Sequence, residues 1–243
     1  MLKAIVGSLG LLMTLSAASL AQQTQSAPKP LEPEITTGGH GEVRLSPDVA
    51  YVTVGVTTQS PNAMVAASEN SRRIAAIVAA LHTLGLTDQQ VRTAGYSLTQ
   101  IYEYPKNEEP RVRGFTARNT LRAEIRRIDD VGKAIDASIS AGATDISSIQ
   151  FAATNTEDAR RAALSDAVKQ ARSDADAMAR AAGGSLGRLL SVASSGVYVP
   201  GPSPYEGARL LSGTSGPPTP IVPGELTVFA NVSTRWEFLP GAR

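Results

Sequence analysis

The sequence predicts an α+β fold: a mixed, largely antiparallel sheet with long hairpins and helices packed on one side. Three observations carry that expectation. Several segments alternate apolar and polar residues at period two, as half-buried strands do. Others repeat apolar residues or alanines at three- and four-residue spacing, which is the mark of amphipathic helices. The two kinds alternate in the order strand, strand, helix, strand, strand, helix, strand, helix, strand, strand, and hairpins mixed with helices belong to the α+β class.

The segment ITTGGHGEVRLSPDVAYVTVGVTTQ reads as two strands turning at Ser46, Pro47 and Asp48, with Val52, Val54 and Val56 on one face of the second. A helix is expected from Pro61, capped by Ser60, with an apolar stripe of Met64, Ala67, Ile74, Ile77, Val78 and Leu81. Ser71 interrupts that stripe, and Gly85 stops the helix. Thr93 to Tyr104 forms a strand, and the charged loop PKNEEP joins it to GFTARNTLRAEIR as a long hairpin. In that last strand Phe115, Ala117, Asn119, Leu121, Ala123 and Ile125 fall on one side. Thr116, Arg118, Thr120, Arg122, Glu124 and Arg126 fall on the other.

A second helix is expected from Asp129 to Ala141, then the short strand SSIQFAAT, then a third helix from Thr156 to Ala182. This third helix carries Ala159, Ala162, Ala163, Ala167, Ala171, Ala175 and Ala179, residues of high helix propensity that permit close approach to a neighbour. Glu157 with Arg161 and Asp176 with Arg180 are favourable i,i+4 pairs. GRLLSVASSGVYV is a further strand, and the closing strand puts Leu226, Val228, Ala230, Val232, Trp236 and Phe238 on one face. Between them, Pro200 to Pro223 is a proline- and glycine-rich segment, expected to be mobile or functional.

The N-terminus, MLKAIVGSLGLLMTLSAASLAQQ, has a lysine, an apolar run from Ala4 to Leu15, and Ser19 and Ala21 at the −3 and −1 positions of an export signal cleaved after Ala21. The run is too short for a stable membrane span. Residues 1–21 thus read as a signal peptide, 22–34 as a flexible proline-rich tether, and 35–239 as the folded domain. Cleavage removes only Lys3 of the 23 basic residues, leaving 22 against 22 acidic ones. A neutral exported chain lacks the basic excess of a nucleic-acid binder. With no cysteine there is no disulfide framework or thiolate chemistry, so the core must hold unaided.

No residue set suggests catalysis, a cofactor or a metal. His40 and His82 lie on different elements with no partner at metal spacing. His82 suits the end of its helix, where positive charge meets the dipole. TGGHGEV is followed by a strand instead of a helix, so its glycines mark a bulge or close backbone approach, not a phosphate loop. Glu108 and Glu109 read as a solvated loop tip, and Asp129 and Asp130 as a helix start. Tyr96, Tyr102 and Tyr104 share a strand parity with Leu98; packing in the core is the leading reading, an aromatic contact patch the alternative.

The stretch YSLTQIYEYPKNEEPRVRGFTARNTLRAEIRRIDDVGKAID resembles the SIMPL-domain, or YggE-like, family of bacterial envelope proteins. GHGEVRLSPDVAYVTVGV, the alanine-rich helix and PIVPGELTVFANVSTRWEF resemble its opening, long helix and closing strand. The resemblance covers about Ile35 to Leu239. It implies a periplasmic or outer-envelope setting, self-assembly into ring- or channel-like homo-oligomers in some members, and links to oxidative-stress tolerance or immunogenicity. It carries over no catalytic residues. Only Met64 and Met178 remain after signal removal as readily oxidised sulfur, so direct scavenging is not expected.

The expectation is therefore a non-enzymatic exported homo-oligomer that supports envelope integrity or stress tolerance. The alternative is a binding module for a protein, lipid or glycan. Its candidate interface is Arg118, Arg122, Arg126, Tyr96, Tyr102 and Tyr104. For the arginines, with Arg111 and Arg113, a solvated or internally paired face leads over self-association, an anionic envelope ligand follows, and nucleic acid is last. Partners are then copies of the chain itself, with no nucleic acid and no known small-molecule ligand; peripheral association with the envelope or a membrane is left open.

Overall fold

A computed structural model describes residues 32–201, 203–204 and 220–241. The signal segment, the tether up to residue 31 and most of the Pro200–Pro223 segment lie outside them. The strands are β1 (Glu34–Leu45), β2 (Val49–Ser60), β3 (Val91–Glu103), β4 (Arg111–Ile125), β5 (Asp145–Ala152), β6 (Gly184–Tyr198), β7 (Ser203–Pro204) and β8 (Leu226–Pro240). The helices are α1 (Ala63–Thr83), α2 (Val131–Ser140), preceded by a 3-10 turn at Ile128–Asp130, and α3 (Glu157–Ala181).

The α+β class holds, and every strand pairing is antiparallel. The strands divide between two sheets, of order β3-β4-β2-β5-β7 and β1-β8-β6. The chain does turn between β1 and β2, but the two strands do not pair: β1 joins β8, while β2 lies between β4 and β5. The parity of β2 explains its place. Val52, Val54 and Val56 are fully buried, and a strand so apolar on one face suits the middle of a sheet.

On the five-stranded sheet, Val52, Val54, Leu121, Ala123, Ile125, Ile149 and Phe151 form one core with Ile77 and Leu81 of α1 and Val131 and Ile135 of α2. Burying each such large aliphatic chain is worth about 2 kcal/mol. The second half of the expected α1 stripe, Ile74, Ile77, Val78 and Leu81, packs on this core, while the half before Ser71 departs from it. The cap of α1 is Asn62, whose Oδ1 accepts from the N–H of Met64 at 2.9 Å and of Val65 at 3.2 Å; Ser60 only holds the Asn62 N–H, at 3.2 Å. The buried positions are Ala66, Asn70, Ile77 and Leu81, and Met64 is 80% exposed. Asn70 occupies the inward position in the half interrupted by Ser71, and its Nδ2 donates to the carbonyls of Val56 and Ala117 at 2.9 and 3.0 Å. A polar side chain tolerates full burial there because its amide N–H groups are spent on the sheet backbone.

On the three-stranded sheet, α3 buries Ala163, Ala167, Ala171, Ala175 and Ala179, one alanine per turn, against Val228, Ala230, Val232, Ile35 and Trp236. The glycines of β1 complete the approach: a Cβ on Gly41 would strike the Ala163 carbonyl, and one on Gly39 the Ala167 carbonyl. Close backbone contact, not ligand binding, is their purpose. A hydroxyl chain pins the helix down. Thr37 Oγ1 donates to the Ala171 carbonyl at 2.8 Å and lies 3.0 Å from Thr234 Oγ1, which accepts from Trp236 Nε1 at 2.8 Å.

Candidate functional site

The β3–β4 hairpin carries all six candidate interface residues on its strands or at their ends, and the structure separates them into two groups. Residues of β4 facing α1, namely Ala117, Leu121, Ala123 and Ile125, are buried, which leaves Arg118 and Arg122 on the opposite, open face of the sheet. Arg118 reaches across β2 to Asp145 of β5, with Nη2 3.3 Å from Oδ2. Gly55 lies beneath that carboxylate, where a Cβ would collide with it, so the glycine makes room for the bridge. Asp145 also accepts from Ser147 Oγ at 2.6 Å. Arg122 stacks on the ring of Tyr51, 4.2 Å from its centroid. Arg126, just past the strand, meets Glu124 at 3.0 Å, and Arg111 meets Glu103 at 3.0 Å. These four arginines are engaged by their own sheet while remaining exposed.

The tyrosines are not in the core. Tyr96 and Leu98 stand opposite Asn119 and Ala117 and so project on the helix side of the sheet, but α1 packs mainly on β2 and β4 and touches β3 only sparsely. They are 54% and 42% exposed. A register shift between Ile101 and Tyr102 sets Tyr102 opposite Val112. Tyr104, 75% exposed, leads into the loop, and its ring is 6.4 Å from that of Tyr102. Sequence parity alone could not expose this patch, because the width of the helix layer decides which strands it reaches. β2 pairs with β4 only as far as Ser60 and Phe115. Beyond that point β3 and β4 continue as a two-stranded arm bearing Ile101, Tyr102 and Val112.

The remaining candidates carry no reactive arrangement. His40 Nδ1 lies 3.1 Å from Asn231 Oδ1, its ring stacks on Phe229 at 5.6 Å, and Tyr198 stacks on the other side of Phe229 at 6.5 Å. His82, in the last turn of α1, faces Asp88 at 3.2 Å. Asp130 does not cap α2 through its side chain; it is held by Arg127 and Lys133, each at 2.8 Å, and the Lys133 ammonium is the first reason its carboxyl titrates below the usual range. Among the described residues, no three His, Asp or Glu side chains gather in a way that could hold a metal ion. A shallow open groove between α3 and β6 is lined by Lys169, Arg172, Ser173, Asp176, Leu186 and Gly187. Lys169 is already paired with Asp166 and Asp176 with Arg180.

Comparison with known proteins places the chain among uncharacterised relatives. The chain is 26% identical to the 26 kDa periplasmic immunogenic protein of Brucella melitensis biotype 1, over 247 residues covering 96% of each chain. It is 28% identical to the uncharacterized protein YggE of Edwardsiella ictaluri, over 184 residues covering 76% of this chain and 77% of that one. To the YggE protein of Escherichia coli K12 it is 24% identical over 164 residues, covering 66% and 65%. Residues 35–236, from the start of β1 to Trp236 of β8, match the family described as SIMPL, protein of unknown function (DUF541), and the chain belongs to that family.

Proposed function

We propose that this is a non-enzymatic periplasmic protein that assembles with copies of itself and supports envelope integrity or stress tolerance. The observation that carries the reading is the state of β3, thirteen residues long, on the outside of its sheet and exposed on both faces from Arg92 to Gln100. An isolated chain gains nothing from leaving Tyr96, Leu98, Tyr102 and Tyr104 in water, whereas a contact between copies would bury them. The periplasmic name of the Brucella relative and the export-signal pattern of residues 1–21 support the compartment. Light scattering coupled to size-exclusion chromatography on the exported chain tests the assembly: a discrete particle of several chain masses is expected, and a monomer at micromolar concentration would overturn it.

A further inference from the structure

Among the described residues each sheet has two edge strands, and three of the four are guarded against pairing with another chain. β7 is two residues long and covers β5 only at Gln150 and Phe151, and the rest of that edge carries the charge of Asp145 and a register shift at Ser147. β1 lies under α3 on one face and carries Glu34, Glu42 and Arg44 on the other. β6 breaks register with β8 three times, between Leu186 and Leu189, Leu189 and Ser191, and Ser194 and Gly196. Short strands, covering helices, charges and bulges are the devices by which native sheets blunt their edges. β3 has none of them along its middle. From Thr93 to Tyr102 it holds no charge and no proline, and its pairing with β4 runs without a break from Gly95 to Ile101.

We infer that β3 pairs with β3 of a second copy, antiparallel and across a two-fold axis, joining two five-stranded sheets into one. This rests on the self-assembly reading and names its contact. The argument is one of elimination followed by geometry. A chain with one competent edge can add only that same edge of its neighbour, which makes the contact isologous. The partner is the same chain because the edge fits its own reverse. Antiparallel copies bring the basic end near Arg92 toward the end holding Glu103, which Arg111 already engages, whereas parallel strands would set the two Arg92 side chains side by side.

The axis, with the uncharged stretch from Thr93 to Tyr102 centred between Ser97 and Leu98, limits the register to two choices. A two-fold normal to the sheet keeps each face on its own side, so residues of equal parity must stand opposite each other. The centre is then Ser97 against Ser97 or Leu98 against Leu98. Centring on Ser97 sets Tyr96 opposite Leu98 of the second copy, twice, on the side where α1 leaves them uncovered. Centring on Leu98 spends Tyr96 on Gln100 instead. Aromatic–aliphatic cross-strand pairs are the stronger ones, which selects Ser97.

The cysteine-free sequence makes the test direct. In the full chain expressed with its own leader, Ser97→Cys places two thiols opposite each other at about 5 Å between Cα atoms, within disulfide reach. Leu98→Cys places them about 8 Å apart, beyond it. Mild oxidation of the folded protein is expected to convert most of Ser97→Cys, and little of Leu98→Cys, to a covalent dimer on a non-reducing gel. In a second arm, Leu98→Arg guards the edge with a charge. Its circular dichroism and melting midpoint should match those of the unmodified chain, while its mass by light scattering falls to half or less. A particle that persists without the Ser97 cross-link, or that survives Leu98→Arg, would overturn the β3 contact and leave self-assembly by another surface standing. An unmodified chain that is monomeric at every concentration would overturn both.

Discussion

Glu69 gathers two guanidinium groups on a single turn of α1, with Arg72 gripping both carboxylate oxygens at 2.9 and 3.0 Å and Arg73 adding a bond of 2.8 Å. Its carboxyl is lowered from an ordinary 4.5 to about 2, first by the Arg72 hydrogen bonds and next by that of Arg73. Because the folded value lies below the unfolded one, the stabilisation is present above pH 4.5 and is lost as pH falls toward 2. A carbon-13 NMR titration is expected to give Glu69 a midpoint near 2 in the native chain, and a higher one in Arg72→Ala, where Arg73 alone still lowers it. The two methionines among the described residues make a second prediction. Met64 and Met178 are 80% and 49% exposed and lie outside the core clusters. Peroxide oxidises each thioether to the sulfoxide and is itself reduced to water, and mass spectrometry should find both modified with the melting midpoint unmoved. A midpoint that dropped with the second oxygen would mean that one of them packs in the native state.

The contact between α3 and β1 shows how elements were read and where reading stopped. Alanines at one per turn and glycines in a strand are each visible in the sequence, and each signals close approach. That they approach one another needs the topology, since Gly41 and Ala163 are far apart in the chain. The contact gives opposite expectations for two neighbouring glycines. Gly41→Ala drives a methyl group into the Ala163 carbonyl and should cost about 3 kcal/mol. A methyl group on Gly38, by contrast, meets nothing nearer than the Val232 carbonyl at 3.7 Å, and Gly38→Ala should stay within about 0.5 kcal/mol of the parent. Urea unfolding checks both, as a lowered midpoint with an unchanged slope for the first and no shift for the second. The same limit explains the other departures. Period and capping chemistry located all three helices within a few residues, yet Asn62 displaced Ser60 as the cap because its longer side chain reaches two amides at once. β1 and β2 were legible as strands, but a turn signal does not say whether the strands it joins belong to one sheet.

For the whole molecule, the question is which surface two copies would share, and the arginines and tyrosines of the hairpin give different salt dependences. The alternation of β4 located Arg118 and Arg122 correctly on the open face. Their partners, Asp145 and Tyr51, sit on strands that only the folded sheet brings alongside, so the sequence could not show that these cations are already engaged. The tyrosines erred the other way. Their parity points toward the core, and they are exposed because α1 packs mainly on β2 and β4 and only sparsely on β3. A contact built on exposed guanidinium groups weakens as salt rises, since the screening length shrinks to about 8 Å at physiological ionic strength. One built on backbone pairing and on Tyr96 against Leu98 has little charge to screen. The particle mass is therefore expected to hold from low to near-physiological salt, and Arg118→Ala should leave it unchanged while freeing Asp145. Light scattering at two salt concentrations, on the parent chain and on that variant, decides between them. A mass that falls with salt, and falls further in Arg118→Ala, would return the contact to the arginine face and take it away from β3.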